Sequence, residues 1–247
     1  RGADHPQVRG AGRRPDPPVS PGASLPLPVA DPSAPPRIGM LGGTFDPVHL
    51  GHLRSAVELR EALALDRVHM VPASVPPLRG EPRVPPGERL ALLRLGIGDT
   101  PGLIADPREL QREGPSFSAD TLASLREEVG PGARLVMALG HDAFLRLAEW
   151  RDPERLFALA HLVVVDRPDF EAPLPAELDA LTADREVADA EALMASPAGG
   201  LLRLSLPSRM AISATEVRRR LAEGRSVRYL LPEAVERRLL EYGLYRH

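Results

Sequence analysis

From Arg37 onward, short apolar runs alternate with segments of helical periodicity. This alternation is typical of βαβ units built around a parallel sheet. The run Leu162–Val165 is apolar at every position, as expected for a parallel strand that is covered on both faces. We therefore predict an α/β fold with a parallel sheet flanked by helices.

The predicted elements follow one another in this order. Strands are expected at Arg37–Leu41, Arg67–Val71, Leu103–Ala105, Arg134–Leu139, Leu162–Val165 and Leu201–Leu206. Helices are expected at Leu50–Leu65, Gly87–Leu95, Ser118–Val129, Asp142–Ala148, Pro153–Ala160, Ser213–Glu223 and Pro232–Tyr242. The last two form a small C-terminal helical part. Residues 168–200 have the weakest pattern, and we expect surface helices or loops there.

Residues 1–36 differ in texture from the rest of the chain. They are rich in Pro and have almost no periodic apolar pattern, which is typical of a disordered or extended tail. They also lack the apolar stretch of a secretory signal. We predict a Pro-rich tail over residues 1–36 and one domain over residues 37–247, and expect deletion of residues 1–36 to leave stability and kinetics intact.

Composition excludes several classes of function. The 247 residues contain no Cys, which excludes disulfides, zinc–thiolate sites and thiol nucleophiles. A net charge of -3 offers no electrostatic case for nucleic acid or an anionic membrane. No apolar run approaches the ~20 residues that span a bilayer. All the basic residues other than His are Arg, so a single Arg is weak evidence for anion recognition.

One short stretch has the chemistry of a phosphate site. A predicted strand leads into Gly42-Gly43-Thr44, and a helix begins near His49 or Leu50. Glycines let the backbone turn sharply and approach a ligand closely, and a helix N-terminus favours phosphate. His49 and His52 are three residues apart and share one helical face. Gly51 lies between them at a cost of ~1 kcal/mol relative to Ala, which suggests that a ligand passes close by.

The same stretch also has a purely structural interpretation. A strand–Gly–Gly–helix turn serves as architecture in many proteins, Asp46-Pro47 is an ordinary turn signal, and paired histidines are more often solvated than functional. The stretch contains neither the G-x-G-x-x-G dinucleotide pattern nor the Gly-Lys-Ser/Thr of a P-loop. Physical reasoning alone puts a functional role slightly ahead.

The segment GTFDPVHLGH resembles the T/H-x-G-H signature of the nucleotidylyltransferase superfamily. From about Ile38 to Tyr245, the chain resembles the bacterial nicotinate mononucleotide adenylyltransferases, with several separate motifs in the same order. The resemblance implies a Rossmann-like fold. It also implies that His49 and His52 are catalytic and that a further set of residues binds ATP phosphates, namely Gly42, Gly43, Thr44, Phe45 and Gly51.

A second motif, ISATEVRRRL, begins at Ile212. Ser213 and Glu216 form the pattern of a capping box before an apolar-periodic run, and this role would be sufficient by itself. The motif resembles the family's triphosphate-binding segment. The resemblance implies phosphate binding by Ser213 and Thr215 and a catalytic role for Arg218, whereas Arg219 and Arg220 are expected to be solvated.

Three residues are candidates for binding the acceptor substrate. By resemblance, Trp150 stacks on the nicotinate ring, Asp142 contacts the nucleotide, and the Ser118 hydroxyl lies near the pyridine carboxylate. Their structural alternatives are core packing for Trp150 and helix capping for the other two. Phe117 stands where the family commonly has Tyr.

The loop Ser74–Gly80 also departs from the family pattern. It has Leu78 and Arg79 where relatives have His and Lys.

The resemblance implies that AMP is transferred from ATP to nicotinate mononucleotide, giving deamido-NAD and pyrophosphate. Mg²⁺ is expected as cofactor, held through ATP phosphates and water with no protein metal site. ATP and the mononucleotide are the expected partners, in the cytoplasm, without nucleic acid or membrane, and oligomerisation is left open. Alternatives are an adenylyltransferase for nicotinamide mononucleotide or pantetheine phosphate, or a nucleotide-binding sensor without turnover.

Overall fold

The computed structural model describes residues 31–74, 83–165, 173–208 and 210–246. The strands in these residues are β1 (Arg37–Gly43), β2 (Arg67–Pro72), β3 (Leu103–Ala105), β4 (Arg134–Gly140), β5 (His161–Val165) and β6 (Leu201–Leu204). The helices are α1 (Leu50–Leu63), α2 (Pro86–Ile97), α3 (Ser118–Val129), α4 (His141–Leu145), α5 (Pro153–Leu159), α6 (Ala176–Thr182), α7 (Ala190–Met194), α8 (Ala214–Ala222) and α9 (Glu233–Glu241).

The strands form a six-stranded sheet in the order β3-β2-β1-β4-β5-β6, and each pairing is parallel. This is the order of a doubly wound fold, whose direction of winding reverses between β1 and β4. The predicted Rossmann-like α/β fold with flanking helices is therefore confirmed.

Two hydrophobic clusters cover the two faces of the sheet. The first includes buried residues of α1, α2, α7, α8 and α9, and the second includes those of α3, α4, α5 and α6. Neighbouring strand residues alternate between them: Val163 belongs to the first cluster, while Leu162 and Val164 belong to the second. The continuous apolar run of β5 is thus buried on both faces, as its sequence predicted.

Most predicted element boundaries agree with the structure within two residues. Strand β3 and helix α3 have the predicted ends, whereas α1 ends at Leu63, because Ala64 adopts a left-handed backbone and caps it. The predicted helix over Asp142–Ala148 is divided into α4 and a short 3-10 helix at Leu147–Glu149.

The weakly patterned region also contributes to the core. Helices α6 and α7 form there, and Leu178 is buried in the second hydrophobic cluster and Leu193 in the first. The first residues of that region, up to 172, lie outside the described part of the chain.

The predicted tail over residues 1–36 stays a prediction, because residues 1–30 lie outside the described part. Residues from Ser33 onward belong to the compact unit that contains the sheet. Within the described residues, no helix is long and apolar enough to cross a membrane.

Candidate active site

The glycine-rich stretch lies where the winding of the sheet reverses. Gly42 and Gly43 are the last residues of β1, and Leu41 pairs with Ala138 of β4, so the two strands end side by side. Asp142 is the second residue after β4. Ligands of open α/β sheets bind outside the carboxyl ends of the strands at such a reversal.

His49 and His52 form a reciprocal pair at the start of α1. His49 is the N-cap residue, and its Nδ1 accepts a hydrogen bond from the backbone N–H of His52 at 3.3 Å. The Nδ1 of His52 accepts from the backbone N–H of His49 at 3.1 Å. The two rings stack with centroids 3.6 Å apart. This is a capping box in which two imidazoles take the places usually held by a hydroxyl and a carboxamide or carboxylate.

The pairing determines which ring nitrogen carries the proton. Because both Nδ1 atoms accept hydrogen bonds, the neutral rings must carry their protons on Nε2. Burial also lowers the pKa of His49 to about 4, so this ring is neutral at physiological pH. Each histidine can therefore donate a hydrogen bond from Nε2 to an oxygen of a bound anion.

Gly51 is required by the position of His49. A Cβ atom at Gly51 would lie 2.9 Å from Cε1 and Nδ1 of the His49 ring, closer than a real Cβ contact. It would also lie 3.6 Å from the carbonyl oxygen of Ile212, which places the start of the second motif beside the first. The structure thus explains Gly51 by the space that the His49 ring occupies, while the contact of Gly51 with phosphate stays a prediction.

Thr44 and Phe45 continue the loop after Gly43. Phe45 is buried, has a left-handed backbone with φ of 48°, and meets His52 edge to face with ring centroids 4.9 Å apart. The Phe45 side chain therefore packs against the His52 ring and supports it. The carbonyl of Thr44 accepts a 2.5 Å hydrogen bond from Nη1 of Arg89.

The second motif begins α8 as predicted. Ser213 is the N-cap residue, and its hydroxyl accepts from the backbone N–H of Glu216 at 3.1 Å. Arg218 donates from Nη2 to the Thr215 hydroxyl at 3.3 Å and from Nη1 to the carbonyl oxygen of Asp46 at 2.8 Å. Arg218 therefore connects the two predicted phosphate motifs directly.

The next two arginines of α8 have local partners. The Glu216 carboxylate accepts hydrogen bonds from Arg219 and Arg220 along the same helix. Arg219 is exposed and Arg220 is half-buried. Their ion pairs are of the i,i+3 and i,i+4 kind that steadies a helix surface.

Two of the acceptor-side candidates, Ser118 and Trp150, lie next to residues that contact each other. Ser118 is the first residue of α3, so the alternative that its side chain caps this helix is wrong: the N-cap is Phe117. The Arg151 guanidinium lies 4.8 Å from the centre of the Phe117 ring, which places the Trp150 segment beside the start of α3. Ser116 Oγ accepts from the backbone N–H of Ser74, just after β2.

The remaining candidates are placed as follows. Trp150 is half-buried against the second hydrophobic cluster, in agreement with a packing contribution. Asp142 is exposed in the first turn of α4, whose N-cap is Gly140, so Asp142 does not cap the helix. Leu78 and Arg79 lie outside the described residues.

Three buried polar residues of the site were missed by sequence reasoning. Asp46, Arg89 and Tyr245 are 6%, 0% and 8% exposed, and all three are linked to the loop between β1 and α1. Of the three, only Asp46 has a visible signal in the sequence, its place beside Pro47, and that pair of residues is typical of a turn. Arg89 and Tyr245 lie in helical or terminal patterns that do not distinguish them from surface residues.

The donor set of this site suits an anion. It consists of imidazole Nε2–H groups, an arginine and the N-termini of α1 and α8. Within the described residues, no group of three or more His, Asp or Glu side chains is arranged to hold a metal ion.

The chain is similar to one known protein family and to named relatives. The cytidylyltransferase-like family matches residues 40–220. A protein of Chromohalobacter salexigens is 70% identical over 211 residues, which cover 85% of this chain and 96% of the relative. One of Halorhodospira halophila is 49% identical over 208 residues, which cover 84% and 94%. Both carry the name "Probable nicotinate-nucleotide adenylyltransferase".

A solved structure shows the same fold. The nicotinic acid mononucleotide adenylyltransferase of Plasmodium falciparum, complexed with NaAD, superposes with a TM-score of 0.62 at 14% sequence identity. The similarity covers 85% of this chain and 97% of that one.

Proposed function

Since the chain belongs to the cytidylyltransferase-like family, and within it to the nicotinate-nucleotide adenylyltransferases, we infer that it transfers AMP from ATP to nicotinate mononucleotide. The products are deamido-NAD and pyrophosphate, and the reaction belongs to NAD biosynthesis. The predicted enzyme class is therefore confirmed. The roles of individual residues, the cofactor and the cytoplasmic location stay predictions, the oligomeric state stays open, and the residue roles are argued below.

The chemistry needs no protein nucleophile. A phosphate oxygen of the mononucleotide attacks the α-phosphorus of ATP. The bond between the α-phosphorus and the oxygen that bridges it to the β-phosphorus breaks. The electron pair leaves with pyrophosphate. Charge accumulates on the α-phosphate oxygens and on the leaving group, so catalysis consists of positioning and electrostatic stabilisation.

We propose that His49 and His52 donate from Nε2 to α- and β-phosphate oxygens. Two features support this. The reciprocal hydrogen bonds leave each ring one possible orientation, with the Nδ1 side held by the backbone. The low pKa of His49 also makes it a neutral donor whose hydrogen bond strengthens as charge develops, without a proton being transferred.

We propose that Arg218 and the N-terminus of α8 bind the leaving pyrophosphate. The guanidinium is held by Asp46 and Thr215, and the Ser213 hydroxyl, which accepts a bond as the helix cap, still has its own O–H to donate. Positive charge and oriented N–H groups next to α1 favour a polyphosphate over a monoanion.

On the acceptor side, we propose that Trp150 stacks on the pyridine ring and that Ser118 binds its carboxylate. The first turn of α3 has no side-chain cap, so its backbone N–H groups can add to the Ser118 hydroxyl. The proximity of Phe117 to Arg151 brings these residues to one place. Asp142, after β4, is proposed to contact the nucleotide.

Mg²⁺ is proposed to bind through the triphosphate and water. The described residues supply cationic and N–H groups rather than a carboxylate cluster, so they suit the phosphates and leave the ion to phosphate and water ligands. When bound, Mg²⁺ would neutralise phosphate charge.

The observation that carries the residue roles is the contact between the two motifs, made by Arg218 with the Asp46 carbonyl and by Ile212 with the Gly51 position. The function is tested by incubating purified protein with ATP and Mg²⁺ and each of nicotinate mononucleotide, nicotinamide mononucleotide and pantetheine phosphate. Pyrophosphate release with the first acceptor is expected. Preferred use of another acceptor would change the assignment, and ATP binding without turnover would indicate a sensor.

A further inference from the structure

Asp46 joins three distant segments at the floor of the proposed phosphate site. Its carboxylate accepts hydrogen bonds from the Tyr245 hydroxyl, at Oδ1, and from the backbone N–H of Arg83, at Oδ2 and 3.1 Å. Its own carbonyl oxygen accepts from Arg218 at 2.8 Å. Asp46 is 6% exposed, so these groups replace most of its contact with water.

The position of Arg218 depends on the Asp46 backbone. One guanidinium nitrogen is bound to the Asp46 carbonyl and another to Thr215, within the first turns of α8. Thr215 moves with α8, whereas Asp46 belongs to the loop that also presents His49. A shift of the Asp46 backbone would therefore change the distance between the arginine and the histidines.

Tyr245 supplies the hydroxyl from the far end of the chain. It is 8% exposed, and burial raises its pKa, so that the hydroxyl keeps its proton and donates. The backbone around it is held by a 3.0 Å hydrogen bond from Leu244 N–H to the Leu239 carbonyl at the end of α9. If the hydroxyl were removed, a buried carboxylate oxygen would lose a donor.

The Thr44 end of the loop is held by hydrogen bonds from Arg89, whose charge also interacts with Asp46 and Tyr245. Arg89 is fully buried and donates to the Thr44 carbonyl, and also to the carbonyls of Ala73 and Val84. These hydrogen bonds do not involve Tyr245. A change at Tyr245 is therefore expected to act on Asp46 locally, with Thr44 and β1 kept in place.

We propose that Tyr245 is a positioning residue for adenylyl transfer: its hydroxyl holds Asp46, and Asp46 holds the Arg218 guanidinium at the triphosphate. This inference rests on the proposed role of Arg218. It assigns a part in the reaction to a residue 199 positions away from Asp46 in the chain.

The test begins with Tyr245→Phe, which removes the hydroxyl and keeps the ring. We expect kcat to fall about 10-fold, the scale for one unsatisfied buried group, while KM for ATP changes less than about 3-fold. Tyr242→Phe is the matched control, because Tyr242 is 59% exposed at the end of α9, and its kinetics should equal wild type.

A second control separates positioning from stability. Leu244→Ala removes a half-buried contact next to Tyr245 and leaves the hydroxyl. We expect it to lower Tm at least as much as Tyr245→Phe does, yet to retain wild-type kcat at a temperature where all variants are folded. If kcat instead fell in both variants in proportion to their loss of Tm, Tyr245 would have only a structural role.

A double-mutant cycle tests the route through Arg218. In an Arg218→Ala background, Tyr245→Phe should lower kcat less than about 2-fold further, because the group that it positions is gone. If the two effects multiply, or if Tyr245→Phe alone has wild-type kinetics, the proposal is wrong. Wild-type turnover of nicotinate mononucleotide tests the proposed function separately, so such a result in an active enzyme would overturn only the role of Tyr245.

Discussion

The Nδ1 atoms of His49 and His52 each accept a hydrogen bond from the backbone N–H of the other residue. This relationship gives the two side chains a structural role and a proposed catalytic role at once. The Nδ1 sides cap α1, and the proposed phosphate contacts are made from Nε2. A substitution that keeps an acceptor in the place of Nδ1 and removes the Nε2 donor can therefore separate the two roles.

His52→Ala should lower kcat by about 100-fold, the scale for losing one oriented donor. It should also destabilise the fold by about 1 kcal/mol, because the capping acceptor is lost as well. His52→Gln is the matched variant, since glutamine at this position accepts from the N-cap backbone in ordinary capping boxes. It should restore the free energy of unfolding but not the rate. Wild-type turnover by either variant would remove His52 from the catalytic set.

The buried His49 should make stability depend on pH. The unfolded chain binds a proton at this residue near pH 6.5, whereas the folded protein resists it until the pKa of about 4. As pH falls through this window, the unfolded state takes up protons first and stability decreases. Between pH 7 and pH 5 the loss from this group is about 2 kcal/mol.

The measurement is urea unfolding of wild type and His49→Asn at both pH values. Asparagine keeps an N-cap acceptor and does not titrate. His161, whose pKa burial also lowers, contributes equally to both proteins and cancels in the difference. An equal pH dependence of the two proteins would show that the pKa of His49 is the same in the folded and unfolded states.

Gly51→Ala should impair catalysis although alanine favours helices. Its Cβ would meet the His49 ring at 2.9 Å, and the ring would have to leave its cap. We expect kcat to fall about 10-fold or more. Gly87→Ala in α2 is the control, because no atom lies within 4 Å of its added Cβ, and its kinetics should be unchanged. Normal kcat in Gly51→Ala would show that the ring can move without cost.

Wild type should prefer the acid mononucleotide over the amide by about 100-fold in kcat/KM. The amide would bring its own donors toward the Ser118 hydroxyl and the uncapped first turn of α3, leaving donors unpaired at ~1–3 kcal/mol each. Trp150→Ala should weaken the binding of both mononucleotides and preserve the ratio of their kcat/KM values. Ser118→Ala should reduce that ratio. Competition kinetics with both mononucleotides measures this. Equal use by wild type would indicate a dual-specificity enzyme, and an unchanged ratio in Ser118→Ala would remove that residue from the site.

The stability of N-terminally truncated proteins should depend on the residue at which the chain is cut. The carbonyl of Pro36 accepts a 2.8 Å hydrogen bond from Arg134 N–H at the start of β4, a contact that the sequence did not reveal. Deletion of residues 1–32 should leave Tm and kinetics intact, whereas deletion of residues 1–36 should lower the free energy of unfolding by about 1 kcal/mol. Differential scanning calorimetry of the two truncated proteins measures this difference in stability. A large loss on deletion of residues 1–32 would contradict the predicted tail.

Local patterns were sufficient for most of the architecture, and they also supplied several of the candidate site residues, whose roles stay predictions. The alternating apolar runs predicted the strands and helices, and the positions of Gly43, His49 and Ser213 followed from their places at strand and helix ends. The resemblance to known enzymes added the roles of Arg218 and Trp150. The reason for Gly51 was not visible in the sequence, because it depends on where the His49 ring lies in the folded protein.

The sequence by itself determined the fold class and the family, since periodicity and motif spacing are properties of short stretches that the chain carries into any environment. Only the tertiary structure decided which polar groups hold the site together. Asp46, Arg89 and Tyr245 look like a turn residue, a helix cation and a terminal tyrosine until packing removes them from water. Burial then makes each hydrogen bond necessary, and it selects partners far apart in the chain.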